Sequence, residues 1–210
     1  MPPQKKKSAV IFDCDGVMFD SRNANIKYYN HILAHFDLPP MTEKETEYVH
    51  MHTATESVRH LFGDTPYLEA ARHFAGQVEY SPFIDDMIIE PGLEELLSEL
   101  KPDYGLAVAT NRSTTIGKVL EHNGLDHFFD IVVSSLDVNN PKPHPESLLK
   151  IMDFFHIGPA EAYYIGDSLV DYQTARASGV IFISYKNKEL TTEYFADSMM
   201  ELRRIIHLSS

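Results

Sequence analysis

Ala9-Val10-Ile11-Phe12-Asp13-Cys14-Asp15-Gly16-Val17 opens the readable part of this chain. Four consecutive apolar residues ending at an aspartate predict a short strand buried on both faces, because a half-exposed strand would alternate apolar and polar residues. Four similar runs follow: Gly105-Leu106-Ala107-Val108-Ala109, Ile131-Val132-Val133, Ala162-Tyr163-Tyr164-Ile165 and Val180-Ile181-Phe182-Ile183. Between them lie apolar residues at helical spacing. Leu93, Leu96, Leu97 and Leu100 follow Pro91-Gly92 and precede Pro102, and Ile116, Val119 and Leu120 run towards Asn123-Gly124. Leu148, Leu149, Met152 and Phe155 mark a third helix, and Ala175 to Ser178 end a fourth at Gly179, a residue type suited to a left-handed C-cap. Alternating buried strands and helices predict an α/β fold, a parallel sheet covered on both faces. In such sheets ligands bind at the carboxyl ends of the strands.

Residues 20–88 break the alternation. Ile26, Tyr29, Ile32, Leu33 and Phe36 lie at helical spacing, and Thr42-Glu43-Lys44-Glu45 and Thr53-Ala54-Thr55-Glu56 fit capping boxes. Thr65-Pro66 fits an N-cap followed by proline at the first helical position. The stretch is read as three to five helices inserted directly after the first strand, where they would roof the strand ends. The expected division is a core of residues 1–19 and 89–210 with a helical cap of residues 20–88. Thr191 to His207 reads as a final helix.

Composition narrows the class. The chain has 210 residues, 18 Lys+Arg against 31 Asp+Glu and a formal net charge of −13. Such a balance repels phosphate backbones and anionic lipid, so neither a nucleic-acid nor a membrane role is expected. The one basic run, Lys5-Lys6-Lys7, reads as a solvated tail. No apolar run approaches the roughly 20 residues of a membrane span, and the lone Cys14 cannot form an internal disulfide. With no secretion-signal pattern at the N-terminus, a cytoplasmic location is expected.

The strand ends carry the chemistry. Asp13 and Asp15 follow the first strand; in extended chain they would project alike, but a turn can splay them to either side of a reacting phosphorus. Thr110-Asn111 follows the second strand and offers a hydroxyl and an amide to phosphoryl oxygens. Pro141-Lys142-Pro143 holds a lysine between two residues of fixed φ. Gly166-Asp167-Ser168-Leu169-Val170-Asp171 adds two carboxylates about one helical turn apart. If these groups converge, four carboxylates face one lysine, a cluster too costly to bury bare. A divalent cation relieves it, and an oxygen-only ligand set suits Mg²⁺ better than zinc. A phosphate monoester could then approach.

Taken together, Phe12-Asp13-Cys14-Asp15-Gly16-Val17, Thr110-Asn111, Pro141-Lys142-Pro143 and Gly166-Asp167-Ser168-Leu169-Val170-Asp171 resemble the four motifs of the haloacid dehalogenase superfamily, over residues 10 to about 183. A helical insert straight after the first motif is similar to the small cap of phosphoglycolate phosphatases and β-phosphoglucomutases. The resemblance implies a Rossmann-like core with strand order 5-4-1-2-3. It implies Asp13 as the nucleophile and a Mg²⁺ ligand, and Asp15 as general acid and then base, its carbonyl also a metal ligand. Thr110 and Asn111 would hold phosphoryl oxygens and Lys142 would neutralise charge. Asp167 would ligate the metal, and Asp171 would orient its waters or Lys142.

Asp15 favours phosphoryl transfer over dehalogenation, since a departing halide needs no proton. Asn25 stands where the mutase branch carries a histidine, and an amide cannot do that proton work. On the cap, His50 and His52 are candidates for the substrate's remote end, with Arg22 and Arg59 as further anion anchors. Cys14 is expected to point into the core. The reading is a Mg²⁺-dependent phosphatase acting on a small phosphorylated metabolite, phosphoglycolate-like substrates first, through an aspartyl phosphate. A pyrophosphatase, a phosphomutase and a non-catalytic phosphometabolite-binding module remain open alternatives.

Overall fold

The computed structural model of the chain describes Lys6 and residues 8–208. In chain order the elements are β1 (Ala9–Phe12), β2 (Phe19–Asp20), α1 (Arg22–His35), α2 (Glu43–Met51), α3 (Ala54–Phe62), α4 (Leu68–Gln77), α5 (Ser81–Ile84) and β3 (Ile88–Ile89). There follow α6 (Leu93–Leu100), β4 (Gly105–Ala109), α7 (Ile116–His122), β5 (Ile131–Val133), α8 (Glu146–Phe155), β6 (Ala162–Gly166), α9 (Leu169–Ser178), β7 (Ile181–Tyr185), β8 (Tyr194–Ala196) and α10 (Met199–Leu208). No helix among the described residues is long and apolar enough to cross a membrane.

The main sheet is parallel, in the order β5-β4-β1-β6-β7-β8. Counted over the five strands expected from sequence this is 5-4-1-2-3, with β8 added beyond β7. β1 lies at the centre, Phe12 registering with Val108 on one side and Ile165 on the other. Its four residues are fully buried, which is why the run lacks polar residues. Alternate side chains serve opposite faces. Val10, Phe12, Leu106 and Val108 pack under α6, α7 and α10, while Ile11, Ala107, Ala109 and Tyr164 pack under α8 and α9.

Three sequence readings need correction. Residues 191–207 are not one helix: Tyr194-Phe195-Ala196 pairs with Ile183-Ser184-Tyr185 before α10 begins. Thr65 accepts from the Tyr67 amide at 3.2 Å and caps a turn, so α4 starts later than the Thr65-Pro66 signal suggested. Lys5 and Lys7 lie outside the described residues, but Lys6 is no solvated tail: its ammonium donates to the carbonyls of Lys101, at 2.7 Å, and Pro102.

The inserted helices have an apolar cluster of their own, built on Tyr29, Ile32, Leu33, Val49, Val58 and Phe62. Both capping boxes form, Thr42 with Glu45 and Thr53 with Glu56. The two crossings between sheet and insert are tied by a short antiparallel ribbon, Phe19 opposite Ile89 and Asp20 opposite Ile88. This anchors the insert above the carboxyl edge of the sheet.

A separate cluster predicts separable stability. Phe62→Ala should remove about 3–5 kcal/mol of packing. Native-state hydrogen exchange should then show faster opening of α1–α4 amides, with β1, β4 and β6 protected nearly as before. Uniform acceleration across sheet and insert would contradict this.

Candidate active site

The turn after β1 sends its two aspartates different ways. Asp13 still follows the sheet, its amide donating to the Ile165 carbonyl at 2.9 Å. The chain then folds back: the Met18 and Phe19 amides donate to the Cys14 carbonyl at 3.0 and 3.1 Å, and the Gly16 amide to the Phe19 carbonyl at 2.8 Å. Gly16 makes this possible with φ of +77°. A Cβ there would also lie 1.9 Å from Asp167 Oδ2, so any side chain would push the Asp167 carboxylate out of its place. Cys14 is buried, and burial, reinforced by the charge of Asp15, pushes its thiol up and away from reactivity.

Asp13, Asp167 and Asp171 converge, each offering a carboxylate oxygen within 4.8 Å of the others. Lys142 joins them from the loop after β5, its ammonium 2.8 Å from Asp13 Oδ1 and 2.7 Å from Asp171 Oδ1. Asn111 sets that lysine by clamping its backbone, donating to the Lys142 carbonyl at 3.1 Å and accepting from its amide at 3.0 Å. Asp171 is held from both ends. Oδ1 accepts from the Tyr164 hydroxyl at 2.6 Å as well as from Lys142, and Oδ2 takes the Ser168 amide and hydroxyl in the capping box of α9.

The charge states follow from these partners. Burial and the Asp171 charge lift the Asp13 carboxyl to about 7, against the pull of Lys142. Burial, with Asp171 and Asp13 nearby, drives Asp167 well above the usual carboxylate range. Burial acts the same way on Asp171, but Lys142, Ser168 and Tyr164 outweigh it and hold that carboxyl low. Lys142 is raised: burial opposes its charge, but Asp13 and Asp171 prevail. Three carboxylates against one ammonium leave a formal charge of −2 in a buried pocket. Asp13 Oδ1 makes no aligned hydrogen bond, although Lys142 stands close by. A −2 all-oxygen cluster of this kind fits a hard divalent cation.

Asp15 faces the other way, into an arrangement that the sequence reading missed. Arg112 grips its carboxylate with Nε at 2.7 Å and Nη2 at 2.6 Å, and the Ser21 hydroxyl donates to the same group. Burial would raise the Asp15 carboxyl, but the guanidinium wins and holds it below its ordinary value. Arg112 also donates to the Tyr80 hydroxyl at 3.1 Å and approaches Asn25 Oδ1 at 3.5 Å, both on the inserted segment. The only sequence signal for Arg112 is its place directly after Thr110-Asn111.

A cavity of about 420 Å³ opens between the sheet and the insert. Its floor includes Asp13, Asp15, Thr110, Asn111, Lys142 and Asp167, and its roof includes Asn25, His50 and His52. Thr110 is buried, its hydroxyl accepting from the Arg112 amide at 3.0 Å. His50 Nδ1 lies 3.4 Å from Asn25 Nδ2, and His52 Nδ1 lies 2.9 Å from the Tyr48 carbonyl. Arg22 and Arg59 do not line the cavity; Arg22 pairs with Glu43 instead.

Residues 10–185 match the family model for haloacid dehalogenase-like hydrolases, and the chain belongs to that family. Among curated proteins, it is 30% identical to a phosphoglycolate phosphatase of Chromobacterium violaceum, over 86% of this chain and 85% of the relative. It is 25% identical to the pyrophosphatase PpaX of Bacillus velezensis, over 98% and 97%. Among solved structures, a haloacid dehalogenase superfamily hydrolase of subfamily IA from Geobacter sulfurreducens is 41% identical with a TM-score of 0.78, covering 97% of each chain. The chain is thus an α/β hydrolase of this family. Family members generally use a divalent metal, and the acidic group described above is one that could bind it.

Gly16→Ala should be disabling because a methyl group cannot share space with the Asp167 carboxylate. A left-handed non-glycine residue alone costs about 1–2 kcal/mol. Urea unfolding should show at least that loss, with activity falling further. Wild-type activity and stability in this variant would refute the close approach.

Proposed function

We propose that this chain is a Mg²⁺-dependent phosphatase that hydrolyses a small phosphate monoester through an aspartyl phosphate on Asp13. The observation that carries the reading is the single cavity floor that holds Asp13, Asp15, Lys142 and Asp167, with Asp171 buried behind it against Lys142. Asp13, Asp167 and the Asp15 backbone carbonyl would hold the cation, with Asp171 fixing Lys142 and the ion's surroundings. The bound cation would supply positive charge to offset the phosphoryl oxygens and the nucleophile.

In the first displacement an Asp13 oxygen attacks phosphorus and the ester oxygen leaves, taking a proton from Asp15. In the second, Asp15 accepts a proton from a water whose oxygen attacks the aspartyl phosphate, and inorganic phosphate departs. Dividing hydrolysis in this way replaces one difficult displacement with two easier ones. Lys142 and the Thr110 hydroxyl hold the transferring phosphoryl group, while the Asn111 clamp keeps Lys142 in place. Arg112 aims Asp15, and its pull favours the ionised form that serves the second step. The proton given in the first step is therefore one that Asp15 takes up from a substrate monoanion or from water before the ester oxygen leaves.

Asn25 favours hydrolysis over a mutase, because its amide, fixed by Tyr80 and Arg112, cannot act as an acid or base near neutral pH. The names of the relatives make small phosphorylated molecules the substrate class, with phosphoglycolate and pyrophosphate as the first compounds to assay. A cytoplasmic address is part of the same proposal.

With p-nitrophenyl phosphate and Mg²⁺, wild type should turn over continuously and Asp13→Asn should release nothing. Asp15→Asn should release one p-nitrophenol per site in a burst and then stall, since this leaving group needs little acid help but dephosphorylation needs the base. Turnover by Asp13→Asn would remove the covalent mechanism; steady turnover by Asp15→Asn would remove the second role of Asp15. Mg²⁺ should also stabilise the fold, by about 2.7 kcal/mol at a hundredfold excess over its Kd. That stabilisation should vanish in Asp167→Asn, as read by thermal unfolding with and without chelator.

A further inference from the structure

The three clustered carboxylates are not held alike. Lys142 pairs with Asp13 and Asp171, and Asp171 also takes the Tyr164 hydroxyl and the Ser168 amide and hydroxyl. Asp167 differs. Among the described residues no group donates a hydrogen bond to its carboxylate or forms an ion pair with it. The carboxylate occupies the space that Gly16 leaves by having no Cβ. With nothing gripping the side chain, its direction is set by its own backbone.

That backbone is gripped from two sides. The peptide unit joining Asp167 to Ser168 is planar, so fixing both its ends fixes the rotation that aims Asp167. Its N–H donates to Asp171 Oδ2 at 3.1 Å, within the capping box of α9. Its carbonyl accepts from Asn187 Nδ2 at 2.7 Å, a donor that comes from the loop after β7.

The loop is built to present that amide. Asn187 Oδ1 accepts from the Glu189 amide at 3.0 Å, and the Asn187 carbonyl accepts from the buried Ser184 hydroxyl at 2.7 Å. The donor end of the side chain is thereby left facing Asp167. Lys186 has a φ of +55°, a left-handed conformation uncommon for a residue with a Cβ, which persists only where surrounding bonds enforce it. Here its amide donates to the Ala196 carbonyl at 2.8 Å, while its ammonium and the Tyr185 hydroxyl both donate to Glu90 Oε1. Asn187 and Asp167 line a depression of about 350 Å³ outside the main cavity, and Asn187 does not line that cavity.

We infer that Asn187 is a positioning residue for the divalent cation: it holds the Asp167–Ser168 peptide so that the ungripped Asp167 carboxylate stays aimed at the ion. The inference rests on the proposal that Asp167 is a cation ligand, and adds the residue that sets it. Partners that orient a ligand in this way typically contribute roughly 10–100-fold to metal affinity. Because Asn187 stands outside the main cavity, its effect falls on the cation and not on the phosphate ester.

The test is calorimetric titration of Mg²⁺ into the metal-free protein. Asn187→Ala should raise the Mg²⁺ Kd about tenfold, while thermal unfolding in chelator still shows a cooperative transition. With p-nitrophenyl phosphate the half-saturating Mg²⁺ should rise in parallel. At saturating Mg²⁺, kcat and the KM for the ester should stay within about twofold of wild type. Asn187→Asp keeps the side-chain shape and the Glu189 bond but sets an acceptor against the Asp167 carbonyl. It should also weaken Mg²⁺ binding, although an added negative charge alone would strengthen it. Wild-type or tighter Mg²⁺ binding in either folded variant would overturn the inference alone. Failure of both variants to fold in chelator would do the same, by making the bond a structural one. No Mg²⁺ binding by wild type would overturn the cation reading and this inference with it.

Discussion

The structure depends on one electrostatic constraint: the carboxyl edge of the sheet gathers more buried negative charge than its own lysine can balance. Asp13, Asp167 and Asp171 crowd within 4.8 Å, and Lys142 returns only a single positive charge. Removing charges from water is costly, and like charges at this distance resist ionising together. The protein meets part of that cost with Lys142, the Tyr164 hydroxyl and the α9 capping box. The rest appears as the raised Asp13 and Asp167 carboxyls. A divalent cation would complete the balance, which links the site's cofactor directly to its charge.

The fold serves this constraint by placing β1 at the centre of the sheet. β4 and β6 flank it, so the groups after these strands reach the same point as Asp13. The turn at Gly16 then separates the two acidic functions. Asp13 turns towards the carboxylate cluster and Asp15 towards Arg112. Arg112 also touches Tyr80 and approaches Asn25, so the position of the insert and the aim of Asp15 belong to one network. The surface ion pairs of the chain, such as Arg72 with Glu69, add little to stability by comparison.

The sheet and its acidic residues were legible in the sequence because both are written locally. A doubly buried strand such as Ala9–Phe12 needs an unbroken apolar run, and the polar residue that ends it marks the carboxyl edge. Both capping boxes were legible because a hydroxyl and a carboxylate three residues apart carry the pattern within one turn. Arg112 was not, because its partner Asp15 is 97 residues away and an arginine in a polar loop looks the same whether buried or solvated. β8 was misread because Tyr194-Phe195-Ala196 is too short to show a period, and its strand character comes from pairing with β7. The β2–β3 ribbon escaped for the same reason.

Anomalous diffraction from crystals grown with Mn²⁺ in place of Mg²⁺ tests the central claim most directly. The account predicts one strong peak at the floor of the cavity, within bonding distance of Asp13 and Asp167 carboxylate oxygens and beside Lys142. A floor without a peak, or a peak held by other residues while these carboxylates remain apart, would contradict it.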